Sequence, residues 1–228
     1  MNFHDRLVTQ TQQARDDFQA IPLLQQSLAG QVSLPLYQAF LTEAYHHVRH
    51  TVPLLHATRA ALGPSQRWMD DALDEYIAEE QGHEQWILDD LAASGADAES
   101  ARTRAPSYAT ELMVAYAYDT IARVNPLGFL GMVHVLEGSS VALALHAAAA
   151  IQKNLRLPDS AFTYLRSHGE LDQSHTAHFA NLVNLIEPEV DQKAIVHAAR
   201  MFYRLYGDIF RELQHRPGLS LRALGVAA

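Results

Sequence analysis

The sequence contains no cysteine and only two lysines, Lys153 and Lys193. The missing thiols exclude disulfides, thiolate zinc sites, iron–sulfur clusters and a cysteine nucleophile. Two lysines leave few positions for Schiff-base chemistry. Basic residues number 17 against 26 acidic ones, so the formal net charge is -9. A nucleic-acid partner is therefore not expected, because nucleic-acid binding needs a basic surface.

Long hydrophobic runs are also missing. The longest apolar run, 141–151, is interrupted by His146 and is much shorter than the ~20 residues of a membrane-spanning helix. Residues 1–6 lead into a polar amphipathic stretch without the apolar region of a secretory signal. We therefore expect a cytoplasmic protein without a membrane partner.

Apolar residues instead recur at helical spacing along most of the chain, and no alternating pattern is long enough to indicate a strand. A length of 228 residues suits one large domain. The pattern predicts an all-α, single-domain bundle of about seven helices over residues 1–228, with a helical region at about 1–30 and a loose tail at about 215–228. The predicted helices cover about 3–28, 34–62 (capped by Ser33 and kinked or broken at Pro53), 65–93, 107–123, 126–154, 160–186 and 190–213, with 96–106 as a loop.

Histidine is unusually frequent, with 13 residues, and three polar residues of the 160–186 helix form a regular pattern. His168, Asp172 and His175 are spaced i, i+4, i+7, which places them within about 60° of one another on a helix. Two imidazoles and a carboxylate on such a stripe can reach one point inside a bundle. A solvated polar face is the alternative interpretation.

A second pair lies on the 65–93 helix. Glu80 and His83 have the Glu-x-x-His spacing that builds di-iron and di-manganese carboxylate sites in helical bundles. Glu79, four residues before His83, is an alternative ligand, and an exposed acidic face is an alternative interpretation.

Glu137 lies within the apolar stretch 128–138. A carboxylate there is costly to bury unless a cation or hydrogen-bond donors compensate its charge, so Glu137 is a candidate ligand or the partner of a structural ion pair. His134, three residues earlier, is expected to pack in the core or to support the site.

Glu43 is the candidate on a fourth helix, where His47 and His50 repeat the i, i+4, i+7 geometry. Four histidines lie between residues 45 and 56, and they cannot all be ligands. We take Glu43 as the ligand and expect these histidines to be exposed or to support it.

Glycines also mark these positions. Gly82, Gly138 and Gly169 each adjoin a candidate ligand inside a predicted helix, where glycine costs about 1 kcal/mol relative to alanine. They indicate close backbone approach, or helices bent near a site.

The candidates together supply four carboxylates and three imidazoles. Nitrogen and oxygen ligands without thiolate suit iron or manganese, with zinc allowed by ligand type alone. Seven ligands exceed what one ion needs, so we expect two metal ions. The candidate ligands are Glu43, Glu80, His83, Glu137, His168, Asp172 and His175.

These residues, in this order, resemble the haem-oxygenase-like di-iron oxidase and oxygenase family. That family shares its seven-helix fold with haem oxygenase, TenA-type thiaminases and the pyrroloquinoline-quinone synthase. The resemblance spans about 30–210 and is carried by Glu43, Glu80-x-x-His83, the isolated Glu137 and His168-x3-Asp172-x2-His175. It implies that these seven residues hold two iron ions that activate dioxygen.

The resemblance also separates the branches of this superfamily. TenA thiaminases use a cysteine that is missing here, and the aminobenzoate-forming branch consumes a lysine, whereas none lies between Glu137 and Lys153. Haem oxygenase needs a histidine on its first helix, where His4 is the one early candidate. Some members place a ligand carboxylate at the position of Tyr76, so the Glu80 variant applies here.

The resemblance therefore implies an oxidoreductase: a non-haem di-iron, O2-dependent oxidase or oxygenase acting on a small or medium-sized organic substrate of acyl or amino-acid type. A cofactor-free quinone-synthase-like enzyme and a non-catalytic ligand-binding helical protein are the alternatives. Relatives often associate, which favours a homodimer. The residues expected to line an apolar substrate pocket are Phe129, Met132, Val133, Leu136 and Phe179.

Overall fold

A computed structural model describes residues 1–219, with the backbone alone for residues 170–175. This part of the chain is mainly helical and contains no strand, so the predicted all-α fold is confirmed. The helices are Phe3–Gln19 (α1), Pro22–Leu28 (α2), Leu34–Val48 (α3), Thr51–Ala61 (α4), Asp70–Glu80 (α5), His83–Ala93 (α6), Ala98–Thr103 (α7), Tyr108–Asp119 (α8), Phe129–Leu155 (α9), Thr163–Asn184 (α10) and Glu189–His215 (α11). Short 3-10 turns cover 64–69, 126–128 and 159–161, and a π-helical turn covers 120–124.

The described helices outnumber the predicted seven because three predicted helices are each divided in two and one predicted loop contains a short helix. The 3–28 segment divides at Pro22 into α1 and α2. The 34–62 segment begins as predicted, with the Ser33 hydroxyl capping α3, but it breaks at residues 49–50 and not at Pro53. Pro53 lies in the first turn of α4, where a missing N–H costs little. The predicted loop at 96–106 contains the short helix α7, which is capped by Asp97.

The predicted helix at 65–93 is wrong in a way that affects the site. It opens with the 3-10 turn at 64–69, and it is interrupted between α5 and α6, where Gly82 has a φ of 89°. A left-handed backbone is accessible to glycine at little cost, so Gly82 ends one helix and begins the next. The predicted loose tail at about 215–228 lies mostly beyond residue 219, outside the described residues.

Helix α9 is the central helix, and it packs along α10, α11 and α2. The segment Pro126–Leu155 is long and apolar enough to span a membrane, the one such helix in the described part of the chain, and half of its most apolar window is buried inside the fold. A core helix of a bundle has the same composition. The apolar residues of α9 thus pack against the neighbouring helices.

Glycines allow two of these neighbours to approach closely. A Cβ atom on Gly131 would lie 2.6 Å from the backbone nitrogen of Ala199 and 2.7 Å from the backbone oxygen of Ile195, so α9 and α11 touch there. A Cβ atom on Gly169 would lie 2.7 Å from Cγ and 3.3 Å from the backbone nitrogen of Leu145, so α10 also comes close to α9. The close contact predicted at Gly169 is therefore present, next to His168.

We expect Gly131→Ala to lower the free energy of unfolding by about 1–3 kcal/mol, because its methyl group meets backbone atoms that cannot move independently. Gly138→Ala is the matched control on the same helix, since a Cβ atom there has no neighbour within 4 Å. Gly138→Ala should stabilise the protein by roughly 0.5–1 kcal/mol through helix propensity. Urea denaturation measures both, and equal effects of the two variants would contradict this description of the α9–α11 contact.

Candidate metal centre

Glu80 and His83 lie on either side of the break between α5 and α6. Glu80 ends α5, Gln81 is extended, Gly82 is left-handed, and His83 begins α6. The Nδ1 atom of His83 lies 3.1 Å from Oε2 of Glu80. The sequence predicts the two side chains side by side on one continuous helix. The structure places them side by side, but it does so across a sharp turn at Gly82.

His83 is buried, with 4% of its surface exposed, and its ring is enclosed by aromatic neighbours. The indole of Trp86 stacks on it with the ring centroids 4.0 Å apart. His168 of α10 approaches edge-on, with its ring centroid 4.9 Å from that of His83, and Tyr164 contacts the other side of His168. These contacts fix the orientation of both imidazoles.

Asp90 explains how α10 reaches this position. It lies two turns after His83 on α6, it is fully buried, and it accepts hydrogen bonds from the backbone N–H groups of Thr163 and Tyr164, both at 2.9 Å. These N–H groups begin α10, so Asp90 caps that helix from a neighbouring one. Burial raises the pKa of Asp90, although the two backbone hydrogen bonds oppose the rise. The cap sets the register in which His168 meets His83.

The result is a compact set of three potential ligands. One ligand atom each of Glu80, His83 and His168 lies within 4.8 Å of the other two. Two imidazole nitrogens and one carboxylate oxygen suit iron, manganese or zinc, and the three residues come from three helices. The set therefore fits a metal ion. Asp172 and His175, which follow on α10, have side chains outside the described residues.

A cavity of about 160 Å³ adjoins the three ligands and is lined mainly by apolar side chains of α2, α3, α9, α10 and α11. Glu80, His168 and the predicted ligand Glu137 all line it. Glu137 is half-buried on α9, so the structure brings it to the same cavity as two of the three ligands.

The residues expected in a substrate pocket divide into two groups. Phe129, Met132, Val133 and Leu136 line the cavity along α9. Phe179 is not among the described residues that line it. Its ring stacks on the ring of His134 at a centroid distance of 6.0 Å, within the core between α9 and α10.

Glu43 occupies a different environment from the three-residue group. It is 2% exposed, and its carboxylate accepts hydrogen bonds from the backbone N–H of Ser107 (3.0 Å), the hydroxyl of Thr110 (2.7 Å) and the guanidinium of Arg216 (2.8 Å). Burial raises its pKa, but these three donors outweigh burial and lower it. The structure thus gives Glu43 protein partners, and its role as a metal ligand stays a prediction.

The histidines near Glu43 were expected to be exposed or to support it, and most of them are not exposed. His46 and His47 are buried, at 4% and 2% exposure, and His47 lines the cavity. His50 is half-buried, with its Nδ1 atom 3.2 Å from the hydroxyl of Tyr118. His56 is exposed. The imidazole of His134 is buried as expected, with Nε2 3.3 Å from the hydroxyl of Thr11, and burial lowers its pKa to about 4.

Sequence reasoning missed three residues that shape the site: Asp90, Trp86 and Tyr164. Asp90 sits in an acidic pair with Asp89 that suggests a solvated helix face, although its spacing from His83 and Ile87 places it on the buried face of α6 and offered a signal. Trp86 lies three residues after His83, so its position at helical spacing offered a signal. The glycine expectation is mixed: Gly82 breaks the helix and Gly169 permits close approach, whereas Gly138 faces open space.

The arrangement of helices has close counterparts among solved structures. A domain of unknown function with a heme oxygenase-like fold from Shewanella denitrificans OS217 is 21% identical, with a TM-score of 0.83, and the alignment covers 100% of this chain and 97% of that one. A TenA homolog from Pseudomonas syringae pv. tomato DC3000 is 11% identical, with a TM-score of 0.77, over 94% and 93% of the two chains. Heme oxygenase-1 from Synechocystis sp. PCC 6803, solved with heme, is 15% identical, with a TM-score of 0.76, over 99% and 97%.

These likenesses define the class as an all-α protein with the haem oxygenase/TenA-like fold. The family model described as iron-containing redox enzyme matches residues 38–207, most of the chain, and the protein belongs to that family. The matched range contains Glu80, His83, Glu137 and His168. No curated protein sequence matches the chain.

The Glu43 network yields a prediction on stability. Because the pKa of Glu43 is lowered in the folded state, its contribution to stability is present above the unfolded pKa of about 4.3 and is lost as the pH falls through the folded pKa. Arg216→Met should lower the free energy of unfolding by roughly 1–3 kcal/mol at pH 7, since it removes one charged donor from a buried carboxylate. The deficit should shrink as the pH falls through the folded pKa of Glu43, because a protonated carboxyl group no longer needs a cation.

Arg204→Met provides the control for that measurement. Arg204 pairs with Asp208 at the surface, with 71% of its side chain exposed, so its loss should change stability by less than about 0.5 kcal/mol at each pH measured. Urea denaturation followed by circular dichroism from pH 7 downwards measures both variants. A deficit in Arg216→Met that does not depend on pH would contradict the assigned role of Arg216.

Proposed function

We propose that this protein is a non-haem di-iron, O2-dependent oxidase or oxygenase acting on a mainly apolar organic substrate of small or medium size. The observation that carries the proposal is the convergence of Glu80, His83 and His168 within 4.8 Å of one another beside an apolar cavity. Membership of a family of iron-containing redox enzymes supports iron as the metal.

The proposal assigns two ions to a larger ligand set. Glu80, His83 and His168 supply one cluster, and Glu137 reaches the same cavity from α9. Asp172 and His175 follow His168 by one and two turns, so the helical spacing supports their addition from α10. Glu43 joins the set only if iron displaces one of its present hydrogen-bond donors, which makes it the weakest member.

The residues of the chain have distinct tasks in this proposal. Glu80, His83 and His168 would hold the metal, and Trp86 and Tyr164 fix the two imidazole rings. The apolar side chains of the cavity exclude water and receive the substrate. The iron, when bound, supplies the redox chemistry by which dioxygen is activated, which the side chains alone do not provide.

The lining of the cavity supports an apolar substrate body, because most of the surface that it offers belongs to aliphatic and aromatic side chains. Haem as cofactor has less support. His4, the one early histidine, packs against His134 and Phe179 and does not line the cavity.

Anaerobic titration with ferrous iron tests the proposal. We expect two iron ions per chain, and a transient visible absorption band when the loaded protein meets air. Glu80→Ala and His83→Ala should each weaken binding at one ion by more than tenfold, because changing residues that merely orient ligands already costs 10–100-fold.

Glu79→Ala is the matched control, since Glu79 is the exposed neighbour of Glu80 and the alternative ligand at i−4 from His83. Glu79→Ala should bind iron like the wild type. Weakened iron binding in Glu79→Ala, with unchanged binding in Glu80→Ala, would assign the ligand to Glu79. No iron binding at any stoichiometry by the wild type would overturn the proposal and favour a ligand-binding protein without a metal.

The turn at Gly82 allows a second test. Gly82→Ala and Gly95→Ala both place a methyl group at a positive φ (89° and 84°) with open space around it, so both should cost about 1–2 kcal/mol of stability. Gly82→Ala alone should also weaken iron binding by about tenfold or more, since it shifts His83 relative to Glu80. Calorimetric iron titration of the two variants gives the comparison, and equal affinities would refute the role of the turn.

A further inference from the structure

His47 is a buried polar residue that neither the fold nor the proposed metal set uses. It lies on α3, one turn after Glu43, with 2% of its surface exposed. Its Nδ1 atom is buried and has no hydrogen-bond partner in the part of the chain that the structure describes. Its ring meets the ring of Tyr206 edge-on at 5.7 Å. A buried polar atom left without a partner costs about 1–3 kcal/mol, and native proteins keep few of them.

The position of His47 suggests why this cost is tolerated. His47 lines the apolar cavity next to the three-residue metal-ligand group. Ser140 of α9 lines the same cavity, and its hydroxyl is likewise buried without a partner among the described residues. Two polar side chains, each with a buried atom that lacks a partner among the described residues, therefore line a cavity whose other lining residues are mainly apolar.

The charged residues around the cavity restrict which ligands can bind beside His47 and Ser140. No lysine or arginine is among the described residues that line it, whereas Glu80 and Glu137 are. Burial lowers the pKa of His47 to about 3, so its imidazole is neutral at pH 7. A neutral imidazole offers one N–H donor and one nitrogen acceptor, but it cannot compensate a buried negative charge.

We propose that His47 hydrogen-bonds an uncharged hydroxyl or carbonyl group of a mainly aliphatic ligand held in this cavity, and thereby selects such ligands. The inference deepens the proposed function, because the ligand would be the substrate. Only this identification of the ligand as the substrate rests on the proposed function. Binding itself needs no metal, so it can be measured on the metal-free protein.

Calorimetric titration of the chelator-treated, metal-free protein with 1-octanol tests the assignment. His47→Leu removes both ring nitrogens and should weaken 1-octanol binding about two- to tenfold, the usual range for one net hydrogen bond. His47→Gln, which keeps a donor and an acceptor, should recover most of that loss. Binding of 1-chlorooctane, which cannot make the hydrogen bond, should not weaken in His47→Leu.

His46→Leu is the matched control. His46 is the neighbouring histidine, it is 4% exposed, and its Nε2 atom is also buried without a partner in the described residues, but it does not line the cavity. Its substitution should leave 1-octanol binding unchanged. Octanoate should bind the metal-free protein more weakly than 1-octanol, because its charge has no counterion in the cavity.

Four outcomes would overturn the assignment: no binding of 1-octanol by the wild type, an equal loss in His46→Leu, an equal loss for 1-chlorooctane, or tighter binding of octanoate than of 1-octanol. Nitrogen NMR of the wild type keeps the test independent of variant folding, since the side-chain resonances of His47 should shift on addition of 1-octanol. Unchanged resonances would also overturn it. Iron titration is a separate measurement, so failure of the di-iron proposal and failure of this one can be told apart.

Discussion

A carboxylate withdrawn from water into an apolar bundle must meet donors or a cation, and buried carboxylates join several helices of this protein. Asp90 ties α6 to the first turn of α10. Glu43 ties α3 to the start of α8 and the end of α11 through Ser107 and Arg216. Glu80 meets His83 across the α5–α6 turn. The first two carboxylates are satisfied by protein donors, whereas the third lies in a cluster that can accept a metal.

Close packing then sets what surrounds that cluster. Gly131 lets α9 touch α11, and Gly169 lets α10 touch α9 beside His168. These approaches pack the central helix against its neighbours, while its other side chains leave an apolar cavity next to the candidate ligands. A metal ion bound beside this apolar cavity would be suited to oxidising a substrate away from bulk water, because electrostatic interactions strengthen where water is excluded.

The fold itself does not decide among the chemistries known for it. Solved structures with this arrangement include a heme-bound heme oxygenase and TenA homologues at identities of 9–15%. Function resides in the site that each chain builds on such a scaffold. Here the scaffold carries no cysteine, and it gathers two imidazoles and a carboxylate instead. That donor set agrees with the iron-containing redox enzyme family to which the chain belongs.

Helical periodicity, the Ser33 cap and the Glu-x-x-His spacing were readable from the sequence because each depends on residues a few positions apart. The all-α fold and the nearness of Glu80 to His83 followed from them. Tertiary structure decided the rest. The break at Gly82 was not readable because glycine is also tolerated inside helices, and the choice of Asp90 over Asp89 as a helix cap depended on which side of α6 faces α10. His168 meets His83, and Glu43 meets Arg216, across 85 and 173 positions of chain; such encounters are set by how whole helices pack, which local patterns do not encode.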